Sequence, residues 1–127
     1  MTVYIVYKNV LLTDLLTLIV LGTPNVVNSM TAGVEFVPMI WGYWGQQFPA
    51  LEYDTVLGFN EPNHSDQSDL DPETAAYAWL ELQESYPDKT LVSPSASPPN
   101  TEEWFSEFFE ICQNIGCRID YLGTTSD

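Results

Sequence analysis

The sequence predicts an α/β chain in which parallel strands alternate with helices. Short apolar runs recur between turn residues: VEFVPMIW at 34–41, TVLGF at 55–59, TLVSP at 90–94 and RIDYLG at 118–123. Two segments with helical periodicity and cap signals separate the last three runs. That strand–helix alternation is the pattern of βα units joined by crossovers.

Residues 10–21, VLLTDLLTLIVL, form an apolar run broken by Asp14. A transmembrane helix needs about 20 apolar residues, so this run is too short to span a bilayer. Two readings stay open. It is the core of a secretory signal flanked by Lys8, although Asp14 interrupts it and no A-x-A-like site follows. Alternatively, it is a buried strand or helix segment. The continuous run at 34–41 suits a strand covered on both faces, with Pro38 as a local objection because proline cannot donate to a ladder. The linker GYWGQQFPALEYD has room for a helical turn only.

Asp71 is a good N-cap, with Pro72 at the first helical position and Glu73 in the first turn, where the helix dipole favours an acid. The helix it starts carries Ala76, Trp79, Leu80 and Gln83 on one face and is stopped by Pro87. SPSASPPN at 93–100 reads as a loop. A second helix is expected from Asn100, with Glu103 completing a capping box. Trp104, Phe105, Phe108, Ile111 and Cys112 form its apolar stripe, and Gly116 ends it in the left-handed conformation. A complete (β/α)8 barrel takes roughly 250 residues. If the βα units belong to such a barrel, 127 residues hold about half of it, and the fold is a partial (β/α)8 TIM barrel.

Composition narrows the function. Lys8, Lys89 and Arg118 face 18 acidic residues, for a net charge of -15. Three cations cannot neutralise a run of phosphates, so nucleic acid is excluded, and an anionic membrane surface is disfavoured. Neutral ligands, cationic partners and metal ions remain open. With 45% hydrophobic and 13% aromatic residues, the chain is no disordered acidic tail. Cys112 and Cys117 lack the partners of a zinc site, since His64 is the only histidine, and their spacing is not that of a C-x-x-C redox pair. They are either a short-range disulfide or two small buried thiols.

Ligands of parallel βα folds meet the carboxyl ends of the strands. Glu35, Asp54 and Asp120 lie at strand starts and are on the wrong end. GFNEPNHSDQS at 58–68 lies on the right one. Glu61 leaves a strand tip, where the strand can hold its carboxyl rigidly, and Asn60 beside it offers an amide to a hydroxylated ligand. A carboxylic acid held close to a leaving oxygen is what glycosidic general acid catalysis requires. The competing reading is a turn acid flanked by Asn and Pro. Trp41, Tyr43, Trp44 and Phe48 follow the preceding strand and serve either as a sugar-stacking surface or as core. Asn63 and His64 follow in the same loop, with His64 read as a surface residue. The acids at 102, 103, 107 and 110 read as the wet face of a helix.

The segments GVEFVPMIWG, VLGFNEP, SDLDPETAAYAW, LVSPSAS, WFSEFFEIC and CRIDYLGT, in this order, resemble the catalytic domain of glycoside hydrolase family 128, the endo-β-1,3-glucanases. The resemblance covers about 22–124. It implies that residues 1–21 are a divergent N-terminal segment and 22–127 a partial catalytic domain. It further implies Glu61 as the acid/base of a retaining mechanism, with Asn60 and Trp41 as contacts to a β-glucan; Trp44 and Asn63, which also follow strand ends, are candidate contacts by position. No cofactor and no metal are implied. The Cys112/Cys117 pair resembles a disulfide pair of fungal members, which implies a secreted or cell-wall parent. Residues 1–21 depart from the family's first two strands. Thr125, Ser126 and Asp127 stand where the family has His and an aromatic pair. The strand bearing the nucleophilic glutamate has no counterpart here. Little or no hydrolysis by this chain alone is the resulting expectation, with a non-catalytic glucan-binding remnant or an inactive fragment as alternatives.

Overall fold

The computed structural model describes residues 3–8, 17–20 and 35–126, with side chains from Val37 to Thr124. The described elements run β1 (Val3–Lys8), β2 (Thr17–Val20), β3 (Glu35–Phe36), β4 (Thr55–Leu57), α1 (Pro72–Ser85), β5 (Thr90–Val92), α2 (Thr101–Ile115) and β6 (Tyr121–Ser126). The signal-or-core reading of 10–21 is reached only at Thr17–Val20, which is strand; the rest of that run lies outside the described residues.

One sheet holds the strands in the order β3-β2-β1-β6-β5-β4. β4 pairs parallel with β5, and β5 with β6, so β4–α1–β5–α2–β6 is two consecutive βα units. β1 differs from expectation, pairing antiparallel with both β2 and β6. The strand read at 34–41 shrinks to Glu35–Phe36, followed by an isolated parallel bridge from Met39 to Leu57. Pro38 explains the break, because it has no N–H. Its carbonyl is still used, accepting the Leu57 N–H at 2.9 Å. The chain beyond β3 therefore covers the flank of β4.

Both faces of β4 and β5 are buried, as expected of parallel strands. Val56 and Leu91 point into a cluster with the helices, while Leu57 and Val92 join Val37 on the opposite face. Trp79 of α1 anchors the helix-side cluster. It meets Phe59 edge-on at 5.9 Å and Phe108 edge-on at 6.2 Å, and Trp104 stacks on Phe108 at 5.0 Å. Each such ring removes about 150–250 Å² from water. α1 approaches the sheet closely at Gly58, where an added Cβ would lie 2.4 Å from Trp79 Cζ3.

The Asp71 cap forms as read. Its Oδ1 accepts the Thr74 N–H at 2.8 Å. That backbone donor holds the carboxyl below the usual value of 3.8, against the opposing effect of desolvation. The buried face of α1 is Ala75, Ala76, Ala78, Trp79 and Leu82, with Leu80 and Gln83 only half-buried at its border. The helix ends at Ser85, one turn residue before Pro87.

α2 buries Trp104, Phe108 and Cys112 and ends at Gly116 with φ 89°, the left-handed conformation that glycine adopts without steric cost. The capping box at its start does not form, since Asn100 makes no side-chain cap bond. Cys112 and Cys117 are joined in a disulfide across a Cα–Cα distance of 4.9 Å, closing the end of α2. Arg118 ties the following loop to the α1–β5 connection, donating to the carbonyls of Tyr86 and Lys89 at 3.0 and 2.9 Å. It also pairs with Asp120 at 2.8 Å. Lys89 donates in turn to the Tyr53 carbonyl.

Candidate active site

The carboxyl ends of β4, β5 and the segment after β3 meet in a row of main-chain hydrogen bonds that runs past the regular sheet. The Asn60 N–H donates to the Trp41 carbonyl at 2.9 Å, the Ser95 N–H to Phe59 at 2.9 Å, and the Glu61 N–H to Ser95 at 3.0 Å. Asn60 and Ser95 form an isolated parallel bridge. Trp41, Asn60 and Ser95 are thus three adjacent strand ends on one rim, and Glu61 sits on that rim one residue beyond the bridge.

Glu61 is half-buried, and its backbone has φ 39°, a left-handed conformation that is uncommon for a residue with a side chain. Its carbonyl accepts the His64 N–H at 3.0 Å, closing a tight turn over Pro62. The carboxylate makes no ion pair or hydrogen bond with the described residues; the ion pair found among them is Arg118–Asp120, at the other end of the strands.

Asn60 is buried, at 7% exposure, and its Nδ2 donates to Gln67 Oε1 at 2.8 Å. Its carbonyl accepts both the backbone N–H and the hydroxyl of Ser68, the latter at 2.6 Å. Gln67 and Ser68 therefore brace Asn60 from behind, a role that no spacing in the polar stretch HSDQS signals.

Asn63 differs from its expected place as a ligand contact. Its Nδ2 donates to the Ser97 carbonyl at 2.6 Å and to Asn100 Oδ1 at 2.9 Å, and its Oδ1 accepts the Ser97 N–H at 3.2 Å. An amide engaged at both ends with protein has its hydrogen-bonding capacity largely used. The same bond explains the missing capping box, because Asn100 turns its side chain to Asn63. His64 Nε2 lies 2.8 Å from Ser97 Oγ and is half-buried, so it too joins the two loops.

The aromatic cluster divides. Trp41 is 49% and Trp44 72% exposed, whereas Tyr43 and Phe48 pack against the core. Tyr43 also donates its hydroxyl to Glu81 at 2.8 Å, and this carboxylate acceptor pushes the phenol above its ordinary value. Gln46 braces the loop carrying Trp44. Its Oε1 accepts the Trp44 N–H at 2.9 Å and its Nε2 donates to the Gly42 carbonyl at 2.8 Å. Asp66, Asp69, Glu102 and Glu103 are exposed. Among the described residues no cluster of His, Cys, Asp and Glu could hold a metal ion, and no helix is long and apolar enough to cross a membrane.

Comparison with known proteins bears on what this rim does. The sequence model of a family described as "Glycosyl hydrolase catalytic core" matches residues 22–124. No curated protein matches. Among solved structures, a family 128 subgroup II endo-β-1,3-glucanase from Sorangium cellulosum is 29% identical with a TM-score of 0.61, over 80% of this chain and 45% of that one. A subgroup III curdlan-specific exo-β-1,3-glucanase from Blastomyces gilchristii, in complex with glucose, is 32% identical with a TM-score of 0.56, over 73% of this chain and 45% of that one. A subgroup I endo-β-1,3-glucanase from Amycolatopsis mediterranei, in complex with laminaritriose, is 28% identical with a TM-score of 0.57, over 72% and 40%. The match thus spans less than half the length of each of these neighbours.

Proposed function

This chain belongs to the glycosyl hydrolase catalytic core family, and on that premise we propose that its rim serves retaining hydrolysis of a β-1,3-glucan, with Glu61 as the acid/base. The observation that carries the proposal is the placement of Glu61: a half-buried carboxyl at a strand tip, next to Asn60 and one strand end away from the exposed ring of Trp41.

In the first step Glu61 would give its proton to the glycosidic oxygen as that bond breaks and a second, nucleophilic carboxylate bonds the anomeric carbon. In the second, water would attack that carbon, losing a proton to the Glu61 carboxylate as the nucleophile leaves. Asn60 neighbours Glu61 in the chain, and its amide, braced by Gln67 through Nδ2, is the candidate contact to a sugar hydroxyl. Trp41 and Trp44 offer ring faces to the apolar faces of glucose units, and a neutral polymer is not repelled by a net charge of -15. The crystallised complexes of the neighbours with glucose and laminaritriose favour a glucan over other neutral ligands.

A retaining reaction also needs a nucleophilic carboxylate about 5–5.5 Å from the acid. The described acids nearest in sequence on this side are Asp66 and Asp69, both exposed in a loop, and Glu102 and Glu103 at the start of α2. None is held by a strand tip. We therefore expect the 127-residue chain to bind glucan with turnover that is slow or absent. Tryptophan fluorescence titration with laminarihexaose, together with reducing-sugar release from a linear β-1,3-glucan, tests this. Saturable quenching, weakened in Trp41→Ala, is the expected result. No response to the oligosaccharide removes the glucan reading. Robust turnover abolished in Glu61→Gln keeps the acid and refutes the expected lack of turnover.

A further inference from the structure

We propose that Asn63 is a positioning residue: it staples the Glu61 turn to the β5–α2 loop and thereby holds the Glu61 backbone left-handed. This deepens the reading of Glu61 as the acid and rests on it for its catalytic meaning.

The conformation at Glu61, φ 39°, costs a non-glycine residue and persists only where its surroundings determine it. Two main-chain bonds act on Glu61 itself, its N–H to Ser95 and its carbonyl from His64. The first ties the start of the turn to the neighbouring strand end, and only the second lies within the turn; the Leu70 N–H further holds the Pro62 carbonyl at 2.8 Å. What fixes the far side of the turn through side chains is the contact between residues 63–64 and residues 97–100. Asn63 binds the Ser97 peptide on both sides, donating to its carbonyl and accepting from its N–H, as a neighbouring strand would. Its second amide hydrogen goes to Asn100, and His64 adds a side-chain bond to Ser97 Oγ. Ser97 is 8% exposed, so little water competes for these bonds.

The side chain must be both donor and acceptor at this length. Aspartate keeps the size but would place an oxygen against the Ser97 carbonyl and Asn100 Oδ1, losing both donated bonds. If Glu61 relaxes to negative φ, its side chain leaves the Cα in another direction and the carboxyl leaves the rim position.

The test is solution NMR on the full chain, parent against Asn63→Asp. The intraresidue cross-peak between amide and Cα protons is strong only at positive φ, and it reads the Glu61 backbone directly. In Asn63→Asp this cross-peak is expected to weaken, and the Glu61 amide to exchange at least tenfold faster. The amides of Leu57 and Gly58, bonded to Pro38 and Val92, keep their protection. An unchanged Glu61 cross-peak and exchange rate, with only the Ser97 amide released, overturns the proposal. Should Asn63→Asp fail to fold, Asn100→Ala, which removes one acceptor of the Asn63 amide, decides: a two- to threefold faster Glu61 exchange supports the staple and no change refutes it. These readouts do not depend on the reaction. If measurable glucan turnover persists undiminished in Glu61→Gln, the acid assignment fails while the staple stands.

Discussion

Replacing Gly58 by alanine tests how tightly α1 is seated on the sheet beneath the candidate site. The new methyl carbon would lie 2.4 Å from Trp79 Cζ3, 2.8 Å from Cη2 and 3.0 Å from the Pro94 nitrogen. Carbon atoms in ordinary contact are about 3.5–4.0 Å apart, so more than about 1 Å of movement is required. Trp79 has little room to give. Its Nε1 donates to the Arg118 carbonyl at 2.9 Å, and its ring is wedged edge-on between Phe59 and Phe108. Overpacking of this kind costs about 1–3 kcal/mol, and a pinned ring facing a backbone atom belongs at the upper end. Alanine also restricts the unfolded chain, which returns about 0.4–1 kcal/mol where the backbone conformation suits it. The overlap wins, leaving a net loss of about 2 kcal/mol, or roughly 8 °C in Tm for a chain of this size. Thermal and urea unfolding followed by far-UV circular dichroism measure it. In a Trp79→Phe background, which removes the far edge of the indole, Gly58→Ala should cost at least ~1 kcal/mol less. Equal costs in both backgrounds, or a single variant within about 0.5 kcal/mol of the parent, would refute the reasoning.

Three further outcomes are expected. Asp71→Ala should lose about 1 kcal/mol at pH 7, the usual worth of an N-cap. Because the folded carboxyl titrates below its ordinary value, this contribution is complete above about pH 4 and disappears as the pH falls through the lowered folded value. Urea midpoints at pH 7 and pH 2 compare the two, and a gap that stays constant contradicts the cap's role. Reducing the disulfide, whose cysteines are five residues apart, should cost roughly 2 kcal/mol through the greater freedom of the unfolded chain; calorimetry with and without dithiothreitol shows whether Tm falls. Gln46→Ala removes both braces of the Trp44 loop, so laminarihexaose should bind several-fold more weakly while Tm changes by only a few degrees; undiminished affinity would mean that Trp44 is not held for the ligand.

Local signals were the legible part of this fold. Asp71 followed by Pro72, and Gly116 after an apolar stripe, act through neighbouring residues alone, and both form as read. The tip carrying Asn60 and Glu61 was legible because a strand run stops at a turn dipeptide. Long-range partners were not. The side chain of Asn100 has two possible uses, one local cap and one distant amide, and nothing nearby in sequence says that Asn63, 37 positions earlier, takes it. The partners of Asn63 were hidden for the same reason: its type announces hydrogen bonding and is silent about Ser97 and Asn100. The antiparallel β1 was missed because its pairing with β6 joins the two ends of the chain, and periodicity carries no information about contacts at that range.

The row through Trp41, Asn60 and Ser95 is fastened by peptide groups, so its geometry does not depend on which side chains it displays. Such a frame can exchange its displayed groups one at a time without being rebuilt. Exchanges at position 41 should then come at small cost to folding, which makes that position the natural starting point for altering the ligand preference proposed for the rim.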